Sequence, residues 1–306
     1  MIKKMLFVIV LSFILMFGLK DVSALELNPD SFINNSGVVM TQQEIENLKK
    51  LGFNDFDINN MNQATFDENK NLVGEVVAVT TKYYKTETII STNMSSAKMF
   101  NSSTTPITKS VEITKEEYEN SDTIISTFAS DVVTTEYKEM TTSIVAVNGR
   151  YRYRNVVRWK KLPFWQTVDI IGIGFDEKVY GVSSTKRLNA YYTFDNSCGL
   201  NVTTSGIWQL NSTGYGVTFD WPKKDNVSAS KEGFYVDMYF EVDKNTTDKI
   251  NVLNAYGNYR HGKGSFTASG VSVGVSISYV IGLSVNFEDS FDTISTAQAT
   301  YTGIKW

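Results

Sequence analysis

One histidine and one cysteine limit the side-chain chemistry open to this 306-residue chain. His261 sits in Asn254-Ala-Tyr-Gly-Asn-Tyr-Arg-His-Gly-Lys-Gly. Tyr256, Tyr259 and Arg260 beside it have the types that surround a general base or line a polar ligand pocket. No nucleophile accompanies it. The chain lacks Gly-x-Ser-x-Gly, and Cys198 in Asn196-Ser-Cys-Gly carries no flanking signature. A Cys198–His261 pair formed in space is the minor reading, and loop residues in a Gly/Lys turn are the expected one. A single histidine excludes two-histidine metal sites, and a single cysteine excludes a disulfide framework and iron–sulfur ligation. Asp237 and Glu241 alternate with Tyr235 and Tyr239, and paired acids among aromatics are glycosidase equipment. The same alternation describes a strand with Phe234, Val236, Met238, Phe240 and Val242 buried and the acids in solvent, which is the expectation adopted. Trp208, Tyr215 and Trp221 have the shape to stack on a sugar, but are read as core. Gly172-Ile-Gly174 lacks the context of a phosphate loop. The expectation is therefore no catalytic residue, no metal and no cofactor.

The strongest local signal is Asn148-Gly149 between two alternating runs, a two-residue hairpin turn that needs positive φ twice. It pairs Val147 with Arg150, Val145 with Arg152 and Ile144 with Tyr153. Extended, the register brings Glu139 to Arg158 and Glu136 to Lys161, opposite charges at both far pairs. One face then carries Met140, Ile144, Tyr151, Tyr153, Val157 and Trp159 toward a core. The other carries Arg150, Arg152, Arg154 and Arg158 outward. That row is either an ordinary solvated strand face or a grip for an anionic wall polymer or membrane surface, since guanidinium matches phosphate geometry. Arg150, Arg152, Arg154, Arg158, Tyr259 and His261 are the candidate ligand-binding residues.

The elements around them divide the chain. Residues 25–72 read as a leader followed by a small helical region. Thr41 and Glu44 form a capping box, with Met40 and Ile45 as its staple, and Ile45, Leu48 and Leu51 share one helical face. Short helical turns follow at Asp55–Asn60 and Gln63–Asn69, packed through Phe53, Phe56, Ile58, Met61 and Phe66. The region is read as a cap on the body rather than a docking module. Residues 73–306 read as one β-rich domain, or two packed subdomains. Val, Ile, Thr, Tyr and Phe dominate short runs punctuated by Gly, Asn, Asp and Ser. Thr114 with Glu117 marks one further helix start. The uncharged alternation Val271–Phe287 suits a half-buried sandwich strand, and also the 9–11 alternating residues of a membrane β-strand.

The N-terminus reads as a secretory signal peptide over residues 1–24. Lys3 and Lys4 precede an apolar run from Met5 to Leu19, and Val22-Ser-Ala24 offers a cleavage point. Retention as an anchor is the competing reading. The net charge of -4 argues against nucleic acid as a partner. Export with one unpaired cysteine, in an Asn- and Lys-rich chain, points to a bacterium. Gly74-Glu-Val-Val-Ala-Val-Thr-Thr-Lys-Tyr-Tyr-Lys-Thr86, Arg150-Tyr-Arg-Tyr-Arg, Arg158-Trp-Lys-Lys-Leu-Pro-Phe, Val168-Asp-Ile-Ile-Gly-Ile-Gly-Phe175 and Asn254-Ala-Tyr-Gly-Asn-Tyr carry a likeness. Through them the chain resembles uncharacterised secreted β-rich proteins of Gram-positive bacteria. The resemblance implies secretion and one β-rich body, with no activity attached. The fold expected is a mostly antiparallel β-sandwich with a small N-terminal helical region. The function expected is a non-enzymatic extracellular or envelope-associated binding protein. A β-pore-forming or membrane-active protein comes second, and a glycan hydrolase third.

Overall fold

The computed structural model describes residues 31–91, 107–121, 125–128, 131–194, 198–201, 206–221, 233–263, 273–275, 280–282 and 291–306. The signal segment lies outside them, as does most of the Val271–Phe287 alternation. Two short strands, β1 (Ser31–Ile33) and β2 (Val39–Thr41), pair as a hairpin. Three helices follow: α1 (Gln42–Lys50), α2 (Asp55–Asn60) and α3 (Gln63–Asn69). Each begins on a polar side chain that accepts from a first-turn amide, Thr41, Asn54 and Asn62 in turn. The Thr41–Glu44 capping box and both short helices stand where the sequence places them.

The remainder is mostly β. Strands β3 (Gly74–Ser91) and β4 (Ile107–Ile113) come first, then the short α4 (Lys115–Glu119) capped by Thr114. Next are β5 (Ile125–Phe128), β6 (Asp131–Val147), β7 (Arg150–Trp159), β8 (Val168–Phe175), β9 (Val179–Gly181), β10 (Arg187–Phe194) and β11 (Cys198–Asn201). The chain continues through β12 (Gly206–Asn211), β13 (Gly214–Asp220), β14 (Gly233–Lys244) and β15 (Leu253–Gly262). Last come β16 (Val273–Val275), β17 (Val280–Gly282), β18 (Phe291–Thr293) and β19 (Ala297–Tyr301).

A large antiparallel sheet runs β11-β10-β14-β7-β6-β3-β4, with β5 beside β6 and β9 beside β14. A smaller sheet runs β12-β13-β8-β15-β18, with β19 also on β15. Between them lies the main core. Met140, Ile144, Tyr153, Val157, Trp159, Val236, Met238 and Phe240 come from the large sheet. Ile171, Ile173, Phe175, Val217, Phe219, Ala255 and Tyr259 come from the small one. Tyr215 and Trp221 belong to this core, and Trp208 packs against it half-buried. The chain is a β-sandwich.

The hairpin has the expected register: Val147 faces Arg150, Ile144 faces Tyr153 and Glu139 faces Arg158. Asn148 and Gly149 both take positive φ, +48° and +79°. The Glu136–Lys161 pairing does not form, because β7 ends at Trp159. The backbone N–H of Lys160 bonds to Tyr137, and Glu136 accepts instead from the Phe164 N–H, 3.0 Å. The larger correction concerns the faces. The second face of the large sheet is not in solvent, because α1, α2 and α3 lie against it. Val38, Met40, Leu48, Leu51, Phe53, Ile58, Met61 and Phe66 form a second core with Val145 and Val147 from that face. Arg152, Arg154, Tyr235, Asp237 and Tyr239 are consequently buried. Only Arg150 of the row is exposed, with Arg158 half-buried.

Candidate functional site

Three places gather the residues that sequence and structure mark for function. The first is under the helices. Adjacent strands β7 and β14 set Arg154 directly across from Tyr239, next to Tyr235 and Asp237. The Arg154 guanidinium grips Asp237 with both ends of its fork, at 3.0 and 2.9 Å. It also reaches Asp57 of α2 at 2.9 Å, the Tyr235 hydroxyl at 3.1 Å and the Gly52 carbonyl at 2.6 Å. Its plane lies 4.7 Å from the Phe53 ring. Arg152 donates to Asn69 of α3 at 2.6 Å and stacks on Tyr239 at 4.7 Å. Asp237 therefore serves as the internal counter-ion of a buried arginine, and Glu241 answers Arg150 and Arg152 at 3.5 and 3.7 Å. Burial of an ion costs several kcal/mol unless it is paired and hydrogen-bonded, and Arg154 has two carboxylates and a partner at each of its three nitrogens. The pairing joins cap to sheet. Arg187 repeats it at the rim with Glu68 of α3.

The second place is inside the sandwich. His261 is not a loop residue: it stands in β15, buried, opposite Asp169 of β8. Its Nδ1 is 2.8 Å from Asp169 Oδ1. The Tyr259 hydroxyl donates to Asp169 Oδ2, and Trp159 Nε1 donates to Tyr259 at 2.9 Å. Burial raises the Tyr259 phenol far above its ordinary range, and the Asp169 charge adds to it. Beside this group Lys138 of β6 points inward, with its ammonium 4.2 Å from the Trp159 ring and 3.4 Å from Asp292 of β18. Two residues earlier on the same face, Glu136 is buried, and its Oε2 has no hydrogen-bond partner among the described residues. Burial moves its pKa up to about 7. The backbone of Cys198 lies on β11, an edge strand of the large sheet, whereas His261 stands in the small one. No group of three or more metal-ligating side chains occurs among the described residues.

The third place is open to solvent. A groove of about 490 Å³ runs beside the hairpin turn and is lined by Lys50, Glu75, Arg150, Tyr151, Tyr301 and Lys305, among others. Tyr151 is its centre. Its hydroxyl accepts the Lys305 N–H at 2.8 Å, and its ring meets Tyr301 at 5.8 Å and Trp306 at 5.1 Å. Arg150 is held over the edge by Glu241 and by Asp243 at 3.4 Å.

No family model matches the chain, and no curated protein matches its sequence. Solved structures that align with it include bacterial surface proteins. The collagen-binding domain of a Staphylococcus aureus adhesin aligns over 50% of this chain and 88% of that domain, at 6% identity and TM-score 0.27. The major pilin SpaD of Corynebacterium diphtheriae aligns over 60% of this chain at 9% identity and TM-score 0.27, and the chain spans 55% of that pilin's length. The collagen-binding domain of the Erysipelothrix rhusiopathiae surface protein RspB aligns over 59% of this chain and 73% of that one, at 6% identity and TM-score 0.25. The likeness lies in a β-rich body and goes no further.

Of the six sequence-marked residues, the structure brings Tyr259 and His261 together, buries Arg152 and Arg154 under the cap, and leaves Arg150 at the groove. Arg158 stays apart, across from Glu139. Sequence reasoning missed Lys138, Asp169, Asp292 and Glu136. The signal for two of them was present: Glu136 and Lys138 share strand parity with Met140 and Ile144, so charged side chains fall on the buried face. No described helix is long and apolar enough to cross a membrane.

Proposed function

We propose that the protein is a non-enzymatic extracellular binding protein, exported by residues 1–24, that engages its partner at the groove beside the Asn148-Gly149 turn. One observation carries this reading: the groove is lined by Tyr301 over the buried Tyr151, with Lys50, Arg150 and Lys305 outnumbering Glu75 at its walls on an otherwise acidic chain, and the exposed Trp306 packs on Tyr151 beside it. Aromatic rings with cationic side chains at their edge suit an extended extracellular polypeptide that presents acidic and aromatic side chains. The residues with catalytic types support a binding role in another way. Asp237 and Arg154 are committed to joining the cap, and His261, Asp169 and Tyr259 are committed to one another inside the sandwich. The arginine row offers an anionic wall polymer little, since Arg152 and Arg154 are buried.

The test compares the mature protein with a Lys50→Glu/Lys305→Glu double variant. Both are applied to immobilised extracellular-matrix proteins, purified anionic wall polymer and soluble wall glycan. Polypeptide binding should fall at least about tenfold in the variant, with an unchanged melting temperature, a loss of about 1.4 kcal/mol. Equal binding by both proteins sinks the groove assignment, and hydrolysis of the glycan sinks the non-enzymatic reading.

A further inference from the structure

The Lys138–Asp292 contact is unlike the other buried ion pairs. Lys138 belongs to the large sheet and Asp292 to the small one, so the pair spans the sandwich. Both side chains are shut off from solvent, 0% and 6% exposed. The carboxylate is clamped at each oxygen. The Ser110 N–H donates to Oδ1 at 3.1 Å, and the Ser110 hydroxyl donates to Oδ2. The lysine nitrogen is aimed by Thr86 and Ser110 hydroxyls, each 2.8 Å away, and roofed by the Trp159 indole. An amine and a carboxyl group are thus held in contact, in fixed orientation, where bulk water does not reach.

We propose that Lys138 and Asp292 condense into an intramolecular amide that ties the two sheets covalently. In water the reaction fails, because the amine holds its proton, the carboxylate resists attack and solvent water favours hydrolysis. Burial alters these conditions. Desolvation pulls the Lys138 pKa down. At Asp292 desolvation pushes upward, but the Lys138 charge and the Ser110 hydroxyl outweigh it and hold the carboxyl below its ordinary range. The ion pair is therefore the resting state, and the reactive neutral pair is reached from it by one proton transfer. The proton of the ion pair passes from Nζ to Asp292, leaving a neutral amine beside a neutral acid. The Nζ lone pair then forms a bond to Cγ. A second proton leaves nitrogen for a carboxyl oxygen, the C–O bond breaks and one water departs. Amine plus acid gives amide plus water, with no oxidant or cofactor consumed. Holding the two groups at contact distance supplies the positional part of the barrier.

Glu136 is the proton carrier. Its charge acts on both Lys138 and Asp292, its Oε2 is buried without a partner, and its pKa near neutrality lets it both give and take a proton. Asp169 also faces Lys138 electrostatically, and His261 faces Asp292. Asp169 is already occupied by Tyr259 and His261, which leaves Glu136 as the group with spare capacity.

Intact-mass measurement of the purified full-length mature protein decides the matter without any mutation. After incubation at neutral pH its mass should be one water below that of the sequence. A tryptic digest should hold a branched peptide joining the Lys138 and Asp292 segments, with no cleavage after Lys138. Asp292→Ala and Lys138→Met should each restore the full mass. Asp292→Asn should lose one ammonia in place of water, with the loss mapped to the same branched peptide rather than to a succinimide at Asn148-Gly149. Glu136→Gln should fold, by circular dichroism, yet approach the reduced mass at least about tenfold more slowly. A folded wild-type protein of full mass, cleaved normally after Lys138, overturns the proposal. So does a water loss that maps to a linear peptide.

Discussion

The two faces of the large sheet bury charge in opposite ways. Under the helices, Arg154 has a partner for nearly every donor: two carboxylates, a phenol, a carbonyl and an aromatic face. Inside the sandwich, Lys138 has one carboxylate and two hydroxyls, and neighbouring Glu136 has an oxygen with nothing to bond. The contrast follows from the side chains. A guanidinium cannot shed its proton within a protein, so a buried arginine must be compensated completely. An amine can become neutral, and a carboxyl group can too, so the inner cluster tolerates incomplete pairing by moving protons. The outer cluster is a joint, and the inner one is chemically unsettled.

Breaking the joint should have the largest effect. Arg154→Met leaves Asp57 and Asp237 buried together without their cation, which should cost about 4 kcal/mol in urea unfolding. A loss under about 1 kcal/mol would mean that the cap contributes little to the stability of the sheet.

The inner cluster predicts a pH effect instead. Glu136 is raised by burial to about pKa 7 in the folded protein. Well below pH 4 the folded and unfolded states both hold its proton. Between the ordinary glutamate range and pH 7 the unfolded chain has released it and the folded chain has not, so stability falls as pH rises. Above pH 7 the full cost of a buried carboxylate is present, about 3 kcal/mol at 1.36 kcal/mol per unit. Glu136→Gln removes that cost and keeps an acceptor for the Phe164 N–H. Chemical unfolding at pH 8 should find it about 3 kcal/mol more stable than the parent, and at pH 4 about equal. Parallel pH profiles for the two proteins would show that Glu136 is solvated.

The smallest effect belongs to Arg150, the exposed end of the same arginine row. Arg150→Ala should change stability by under about 0.5 kcal/mol, since rim ion pairs contribute little. A loss matching that of Arg154→Met would erase the distinction between rim and joint.

How much of this was legible depends on how far apart the interacting residues lie. The hairpin register, the Thr41–Glu44 capping box and the inward residues of β7 depend on neighbours within about twenty positions, and the sequence states them directly. The solvent-facing assignment of Arg152, Arg154 and Asp237 failed because alternation tells two faces apart but not what covers each. Their cover comes from Asp57 and Asn69, which are 97 and 83 positions from the arginines they meet. His261 was misplaced for a related reason: glycines at 257 and 262 look like turn residues, yet both are sites of close backbone approach. A Cβ on Gly257 would lie 1.8 Å from the Thr142 hydroxyl, and one on Gly262 would lie 2.4 Å from the Val168 carbonyl. The Lys138–Asp292 pair, 154 positions apart, leaves only a parity clue on one partner.

The helical cap also sets an order of events for a chain translated from its N-terminus. Residues 31–69 emerge first, yet the groups that hold them, Arg154 on β7 and Tyr235 on β14, follow long after, the latter 178 positions beyond Asp57. Three helices of nine, six and seven residues are too short to persist alone. The apolar side of this leading segment therefore waits uncovered while most of the sandwich is made. Such high contact order means slow closure and a long window for misassembly. The charged outer side of these helices, with Glu46, Lys49, Lys50, Asp55, Asp67 and Glu68 exposed, keeps the waiting segment soluble until its sheet arrives.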